Sequence, residues 1–302
     1  MRRLKRSRWS RDRSVAQWLD DEGQQGRLRS HLWEPLCVAA LNTPTGRASA
    51  HVFARVLRDG LSGASGASDL LLARADLGRI FPEPAAQFVC AHGGEVELGA
   101  PVHRIERDAS GFRLDGRPFS SVILACGPQH ASALLAAFPE LAATRALIDA
   151  LEYEPIVTCY LQYAASVSLP SPMMAFARGT LQWLFDRGQL DSSPGLLAGV
   201  ISASGPHTGL DRRQLLERIE AQLRAYLGLP APAWSRVIIE KRATFSCRPS
   251  LVRPAARTPV PRLVLAGDYV AGDYPGTLES AVRSGVAAAA LLHAPASAFT
   301  SR

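Results

Sequence analysis

The most informative hydrophobic pattern of this 302-residue chain lies near its C-terminus. Four apolar residues, Leu263 to Ala266, stop at Gly267-Asp268, and this pattern predicts a short buried strand. A loop follows as far as Pro275, and from Gly276 onward the sequence has helical spacing with an Ala- and Leu-rich end. The stretch is therefore predicted to form a strand, a Gly/Asp loop and a helix, a layout that proteins use to hold nucleotide cofactors.

The start of the predicted helix carries the chemistry of this stretch. Backbone amides near Thr277 and Leu278 would have no partner inside the helix, so with the helix dipole they favour an electron-rich group such as a flavin carbonyl. Asp268 is suited to accept hydrogen bonds from sugar hydroxyls. Small residues at a spacing of four would let another element or a ligand approach one helical face. They are Gly276, Ser280 and Ser284, and Ala281 with Gly285. The same pattern fits a buried strand–turn–helix without a ligand, and pattern alone does not separate the two.

The rest of the chain divides into stretches of different periodicity. Residues 14–81 are mostly helical in pattern, and the apolar, Gly/Pro-broken segment from Leu70 to Phe81 could line an apolar cavity. Strand-like runs are predicted next, at Val96, Leu98, Val102 and Ile105, in a hairpin that turns at Asp115-Gly116, and at Val122 to Cys126. Short strands and a helix after Asp211 then predict an antiparallel sheet with flanking helices.

Composition and charge exclude several classes of protein. Hydrophobic residues make up 47% of the chain, which is ample for a packed core, and the net charge is +7. Residues 1–13 supply +6 of it, from seven basic residues and one acidic residue, and no basic patch with interleaved aromatics recurs, so no nucleic-acid partner is predicted. The five cysteines are scattered without a C-x-x-C pair, which favours a reducing cytosol and no metal site. Neither a membrane span nor a secretory signal is predicted.

Longer motifs identify a family. Ala266-Gly267-Asp268, followed by Tyr274 to Gly285, resembles the C-terminal flavin motif of the flavin amine oxidase and phytoene desaturase superfamily. Within it, the chain most resembles the squalene-associated FAD-dependent desaturases, now described as hydroxysqualene dehydroxylases. The stretches that carry this narrower resemblance are Leu32 to Leu36 with Ala40 to Pro44, Ser68 to Leu71, Leu77 to Pro82, and Trp183 to Gly188. The resemblance extends from about Ser14 to the C-terminal helix.

The resemblance implies an α/β fold, in which an incomplete FAD/NAD(P)-binding Rossmann-like domain is interleaved with an α+β substrate domain. It implies FAD as the cofactor. The residues that match the family's cofactor contacts are Val102, whose backbone would meet the adenine, and Gly267, Asp268, Gly276, Thr277 and Leu278. An ordinary sheet edge is the alternative at Val102.

The implied domains are a basic, disordered head at 1–13, a helical part of the substrate domain at 14–84 and a middle FAD-domain segment at 85–130. The antiparallel part of the substrate domain follows at 131–252 and the C-terminal FAD-binding segment at 253–302. The family pattern begins with a strand, a G-x-G-x-x-G loop and an acidic residue, and this sequence contains no such element. We therefore expect a fragment of the family pattern, in which half of the cofactor contacts are missing and an exposed sheet edge favours aggregation or a partner.

The implied reaction uses reduced FAD to replace the hydroxyl of hydroxysqualene with hydride, giving squalene for hopanoid synthesis. A proton donor would assist loss of the hydroxyl. Asp186, Tyr153 and Glu279 are candidates, each of which also fits a structural role, so no catalytic residue is assigned. A carotenoid-type desaturase, a flavin amine oxidase with Tyr269 and Tyr274 as nearby aromatics, and a non-catalytic apolar-ligand or interaction module are the alternatives. An apolar isoprenoid partner implies a cytoplasmic protein working at the inner membrane surface, and a homo-oligomer stays open.

Overall fold

The structure, a computed structural model, describes residues 11–61, 63, 66 and 68–293. All of the predicted basic head except residues 11–13 lies outside the described residues. The α-helices are α1 (Val15–Asp21), α2 (Gly26–Leu28), α3 (Glu34–Leu41), α4 (Ala50–Leu61), α5 (Leu77–Ile80), α6 (Pro82–Ala91), α7 (Pro128–Leu134), α8 (Ala142–Asp149), α9 (Arg187–Asp191), α10 (Arg212–Leu227) and α11 (Leu278–His293). The strands are β1 (Ile105–Asp108), β2 (Gly111–Leu114), β3 (Arg117–Phe119), β4 (Val122–Leu124), β5 (Tyr153–Gln162), β6 (Met173–Ala175), β7 (Trp183–Asp186), β8 (Leu196–Ser202), β9 (Trp234–Phe245) and β10 (Leu263–Leu265).

Local sequence explains how the N-terminal helices begin and end. Ser14 and Gln17 form a capping box at α1, in which each side chain accepts from the backbone amide of the other, at 3.2 and 3.1 Å. A π-helical turn, Arg29–Trp33, joins α2 to α3, and the amide of Glu34 donates to the carbonyl of Arg29. Pro35, the next residue, has no N–H to offer the preceding turn, which accounts for the widened helix at this point. Asn42 ends α3 in the left-handed conformation, with φ of +45°.

The strands form three sheets. β6-β7-β8-β5-β9 is the largest and is antiparallel, β1-β2-β3 is a small antiparallel meander, and β10 pairs with β4 in parallel. The predicted hairpin is confirmed as β2–β3, with Asp115 and Gly116 both at positive φ (+47° and +90°) as a type I′ turn requires. Within the described residues no second strand pairs with β4, so its other edge is open.

The strand-like runs predicted at Val96, Leu98 and Val102 are wrong. These residues lie outside any strand and their side chains are exposed, Leu98 by 91%, and only Ile105 begins a strand. Gly99 turns the chain at φ of +68°, and Pro101 has no N–H for a ladder. Apolar residues alternate in this segment, but in the described part of the chain no strand pairs with it to bury them.

Buried residues form two main cores. The first joins α1, α3 and α4 to the meander, α7, α8 and the β4–β10 pair. The second lies between the five-stranded sheet and α10, where Leu215, Ile219 and Leu223 make the buried stripe that the spacing of four predicts. Because side chains alternate along a strand, the sheet has a second face, on which Tyr160 and Trp183 are only half-buried. The domain boundaries given above stay predictions.

Candidate functional site

Gly267 shapes the turn at the end of β10. Its φ is +144°, and an added Cβ would lie 2.6 Å from the ring of Tyr269, so only glycine fits here. Its amide donates to the hydroxyl of Ser284 on α11 at 2.7 Å. This bond ties the strand end to the helix, which explains one of the small residues on that helical face.

Asp268 follows with its backbone fixed and its carboxylate half-buried. Its carbonyl accepts from Arg253 Nη1 at 3.0 Å and from Ser280 Oγ at 3.3 Å. Burial raises the pKa of Asp268, and nearby backbone amides and the Arg253 charge offset this only in part. No side-chain hydrogen bond to this carboxylate is formed by the part of the chain that the structure describes. Its oxygens are therefore suited to hydroxyl donors of a ligand.

The helix start is largely open. α11 begins at Leu278, two residues later than predicted, because Thr277 takes the capping position: its hydroxyl accepts from the Ser280 amide at 3.2 Å. The amides of Leu278 and Glu279 have no acceptor among residues 11–61 and 68–293, and the Leu278 side chain is 75% exposed. Two of the first amides and the positive end of the helix dipole thus face outward.

Gly276 brings this loop against the large sheet. An added Cβ would lie 2.9 Å from Cβ of Thr244 at the end of β9 and 3.1 Å from Oδ2 of Asp268. The structure therefore gathers Asp268, Gly276, Thr277 and the start of α11 in one place, at the junction with β9. A side chain at position 276 would overlap Thr244 and crowd the Asp268 carboxylate, so glycine is what allows the loop to approach β9 this closely.

The side-chain amide of Asn42 stabilises this junction. Its Nδ2 donates to Thr244 Oγ1 at 3.0 Å and its Oδ1 accepts from the Ala203 amide at 2.6 Å. The next residue, Thr43, accepts the Cys247 amide at 2.9 Å. The Leu41-Asn42-Thr43-Pro44 stretch was identified only as a family motif. The structure assigns it a role, which is to connect the end of α3 with β8 and β9.

Glu154 lies beside Asn42 and was missed by sequence reasoning. It is fully buried, and its two carboxylate oxygens accept from the hydroxyl of Ser246 at 2.8 Å, from the hydroxyl and amide of Ser204 at 2.7 and 3.0 Å, and from Arg47. With this many donors, the buried carboxylate has its hydrogen bonds satisfied within the chain. The only available signal was an acidic residue in an otherwise apolar strand.

An apolar groove of about 740 Å³ runs along the exposed side of α11. Leu77, Ile80 and Phe81 form one wall, and Leu278 and Val282 belong to the other. The expectation that the Leu70–Phe81 segment lines an apolar cavity therefore holds for its last residues. The groove begins at the open start of α11, so an apolar ligand in the groove would lie next to a group bound at the helix amides.

Val102 and the three candidate proton donors, Asp186, Glu279 and Tyr153, lie elsewhere or already contact other residues of the chain. Val102 is exposed in an irregular segment, and its role stays a prediction. Asp186 is buried; although burial raises its pKa, hydrogen bonds from Leu169, Gln189 and Ser168 lower it overall, as befits the cap of α9. Glu279 is exposed and paired with Arg283. Tyr153 is half-buried beneath Arg242, and burial raises its pKa.

Neither aromatic residue of the loop is free to frame a ligand. Tyr269 is buried, with 1% of its surface exposed. Tyr274 lies between the guanidinium groups of Arg55 and Arg283, at 5.3 and 4.9 Å from its ring centre, and its hydroxyl donates to Asp59. No helix in the described part of the chain could cross a membrane, and no cluster of three metal-ligating side chains occurs there.

Two proteins of known name are similar in sequence to this chain. A hydroxysqualene dehydroxylase from Rhodopseudomonas palustris is 31% identical over 276 residues, which cover 88% of this chain and 63% of that protein. One from Sinorhizobium fredii is 29% identical over 272 residues, with coverage of 88% and 63%. The chain therefore spans less than two-thirds of the length of these relatives.

Solved structures and a family model complete the comparison. An oxidoreductase from Methanosarcina mazei superposes with a TM-score of 0.66 at 14% identity, over 92% of this chain and 68% of that one. Cyclohexylamine oxidase from Brevibacterium oxydans does so with a TM-score of 0.62 at 19% identity, over 93% and 67%. These likenesses confirm the α/β fold class. Residues 3–293 match the model described as flavin containing amine oxidoreductase, and the chain belongs to that family.

Proposed function

We propose that this chain is the substrate-binding and C-terminal flavin-binding part of an FAD-dependent oxidoreductase that acts on an isoprenoid. The observation that carries the proposal is the open start of α11 beside the Asp268 carboxylate. Asp268 would accept from the ribityl hydroxyls of FAD, and the amides of Leu278 and Glu279 would face the pyrimidine carbonyls of its ring. Val102 is proposed to meet the adenine through its backbone.

The proposed reaction is the reductive dehydroxylation of a hydroxysqualene-like substrate. The C–O bond of the hydroxyl breaks, a C–H bond forms at the same carbon, and the hydroxyl leaves as water after taking up a proton. FAD, when bound and reduced, supplies the hydride. The residues of this chain orient the cofactor and exclude water: Leu77, Phe81 and Leu278 give the adjoining groove an apolar surface.

Two features favour an isoprenoid over an amine. The similar proteins from Rhodopseudomonas palustris and Sinorhizobium fredii are named hydroxysqualene dehydroxylases. In addition, Tyr269 is buried and Tyr274 is held by two arginines, so the loop offers no aromatic pair to frame a cationic amine. We propose that a substrate so insoluble in water brings the protein to a membrane surface from the cytoplasm.

The first test is a titration with FAD, followed by its absorption and by quenching of tryptophan fluorescence. Asp268→Asn should weaken binding about tenfold, the equivalent of roughly one charge-assisted hydrogen bond. Asp273→Asn, in the same loop but with its carboxylate exposed and paired to Arg55, is the matched control and should bind as the unmodified chain does. Equal loss in both variants, or no FAD binding at all, would refute the proposed cofactor site.

The second test separates substrates. With reduced FAD and without oxygen, hydroxysqualene should yield squalene. In a parallel assay with oxidised FAD and an external electron acceptor, which desaturation and amine oxidation require, phytoene and primary amines should be unchanged. Turnover of phytoene or of an amine in place of hydroxysqualene would refute the isoprenoid alcohol as the substrate while leaving the flavin site intact.

A further inference from the structure

A second cavity, of about 460 Å³, is lined by no residue of α11 or of the loop before it. Its helical wall is formed by the π turn and the start of α3, including Leu32, Pro35 and Leu36. Its other wall is the β6–β7 hairpin, including Phe176 and Trp183. We refer to this space, between residues 30–38 and 175–183, as the hairpin groove.

The hairpin groove brings together two stretches that the flavin site does not use. Leu32 to Leu36 and Trp183 to Gly188 both carry the narrower resemblance, and they lie far apart in the sequence. Leu32 is 44% exposed and Trp183 is half-buried, on the sheet face away from α10. Large apolar side chains that remain uncovered on facing walls are typical of a small-molecule site, and the volume is within the usual range of roughly 300–1,000 Å³.

The hairpin wall is held rigidly from behind. The side chain of Gln222 on α10 is buried; its Oε1 accepts from the Leu181 amide at 2.9 Å and its Nε2 donates to the Leu181 carbonyl at 3.0 Å. Gly179 has φ of +116°, and any side chain there would overlap Gln222. A buried glutamine that fixes a loop by both ends of its amide makes the groove preformed, which lowers the entropic cost of binding.

The helical wall is fixed in the same way. The indole N–H of Trp33 donates to Gln24 at 2.9 Å, and Glu34 is paired with Arg29 at 2.7 Å. Pro35 causes the π turn, a rare conformation that is frequent at functional sites. Among the described residues that line the groove, Glu34 is the one carboxylate, and it is paired with Arg29, which also bonds Asp20. A ligand cation would therefore meet a carboxylate that already has a partner, and the positive charge of Arg178.

The groove also has a polar end. A smaller cavity of about 220 Å³ shares Val38, Gly179 and Gln182 with it and is also lined by Ser202 and Ser204. Gln182 is bonded to the Ser202 backbone and the Ser204 hydroxyl donates to Glu154, so these side chains offer a ligand the remaining acceptor capacity of their oxygens. An occupant that extends through both cavities would have a long apolar part and a hydrogen-bond donor at one end. An isoprenoid alcohol has this distribution without a charge, whereas an alkylamine of similar length adds a cation to a space that Arg178 also lines.

We infer that the hairpin groove binds the isoprenoid chain of the substrate, with Leu32 and Trp183 as its main apolar contacts and its hydroxylated part toward Gln182. This inference rests on the proposed function for the identity of the ligand. It adds a site and a ligand orientation that the flavin-binding residues do not define.

The probe for this inference is farnesol with a diazirine on its terminal isoprene unit, photolysed with the whole chain in the absence of FAD. We expect label on peptides containing residues 30–38 and 175–183, displaced by squalene and not by decylamine. Label confined to other peptides, or equal displacement by decylamine, would overturn the inference.

Matched variants make the test specific. Leu32→Glu should reduce the affinity for the probe about tenfold, whereas Leu28→Glu, which changes a leucine of similar exposure that does not line the groove, should leave it unchanged. Trp183→Ala should have the same effect as Leu32→Glu, Trp183→Phe should restore most of the binding, and Trp234→Ala, another half-exposed tryptophan, should have none. Equal losses in the two members of either matched pair contradict the inference. Labelling without FAD also separates the two proposals, because a failed flavin titration leaves this result unaffected.

Discussion

Replacement of Glu154 by glutamine tests whether the junction between β9 and the loop at Gly276 depends on a buried carboxylate. The Glu154 carboxylate has no exposed surface, and its oxygens accept from Ser204, Ser246 and Arg47. Glutamine keeps the shape of the side chain and replaces one acceptor oxygen with an NH2 donor. Any loss of stability can therefore be assigned to hydrogen bonds and charge rather than to a cavity.

The magnitude follows from the donors on each side. If the NH2 replaces Oε2, it faces the amide of Ser204, which cannot rotate away; if it replaces Oε1, it faces the guanidinium of Arg47. Either orientation leaves one buried donor without an acceptor, at about 1–3 kcal/mol, and weakens a charge-assisted bond as well. We expect Glu154→Gln to lower the free energy of unfolding by about 2–4 kcal/mol, less than the roughly 3–5 kcal/mol typical of a fully buried pair, because Arg47 is half-exposed.

The assay is urea unfolding followed by tryptophan fluorescence. Glu152→Gln is the matched control, since Glu152 lies just before the same strand but is exposed and paired with Arg248 at 2.7 Å. A surface pair of this kind contributes less than about 1 kcal/mol. A double-mutant cycle with Arg47→Met should give a coupling energy above about 1 kcal/mol. If Glu154→Gln costs no more than Glu152→Gln, the network is not a structural support and the reasoning is wrong.

Three further predictions concern single positions. Gly276→Ala should cost about 1–3 kcal/mol and weaken FAD binding because its Cβ meets Thr244, whereas Gly285→Ala, with nothing within 4 Å, should be neutral or slightly stabilising; thermal melts compare them. Asp268→Asn should not lower the melting temperature at pH 7 and should raise it if anything. Burial raises the pKa of Asp268, so its ionised form opposes folding and stability from this group rises as pH falls. Asp186→Asn should destabilise at pH 7, and the difference should shrink as pH falls below about 4, because the fold lowers the pKa of Asp186 and its stabilising effect is lost on protonation.

Local signals were sufficient for the elements on either side of the loop 266–277. The apolar run before Gly267-Asp268 is β10, the small residues from Ser280 to Gly285 lie in α11, and the Asp115-Gly116 turn joins β2 to β3. Each depends on residues adjacent in sequence. The helix begins at Leu278 because Thr277 takes the capping position instead of Gly276, one residue earlier, and a pattern of small residues does not rank the two.

The supporting network could not be predicted from the sequence because its partners are distant. Asn42, Glu154 and Thr244 belong to three separate segments, and nothing in the periodicity of any one segment reveals that they meet. An acidic residue in a strand usually faces solvent, so its position in an apolar strand did not by itself show that Ser204 and Arg47 surround Glu154. The wrong strand prediction at Leu98 also depends on distant residues. Its side chain is apolar, but no other segment of the described chain packs against it and buries it.

The helix α3 links the two proposed ligand sites physically. Its first turn, with Pro35 and Leu36, lines the hairpin groove. At its other end Asn42 donates to Thr244, and Thr244 lies against Gly276 before the open start of α11. Because the Asn42 side chain bonds both Ala203, just after β8, and Thr244 in β9, a shift of α3 would move the residues that pack against Gly276. The two stretches Leu32 to Leu36 and Ala40 to Pro44 therefore lie at the two ends of α3. Its length sets the distance between the proposed isoprenoid chain and the proposed flavin ring.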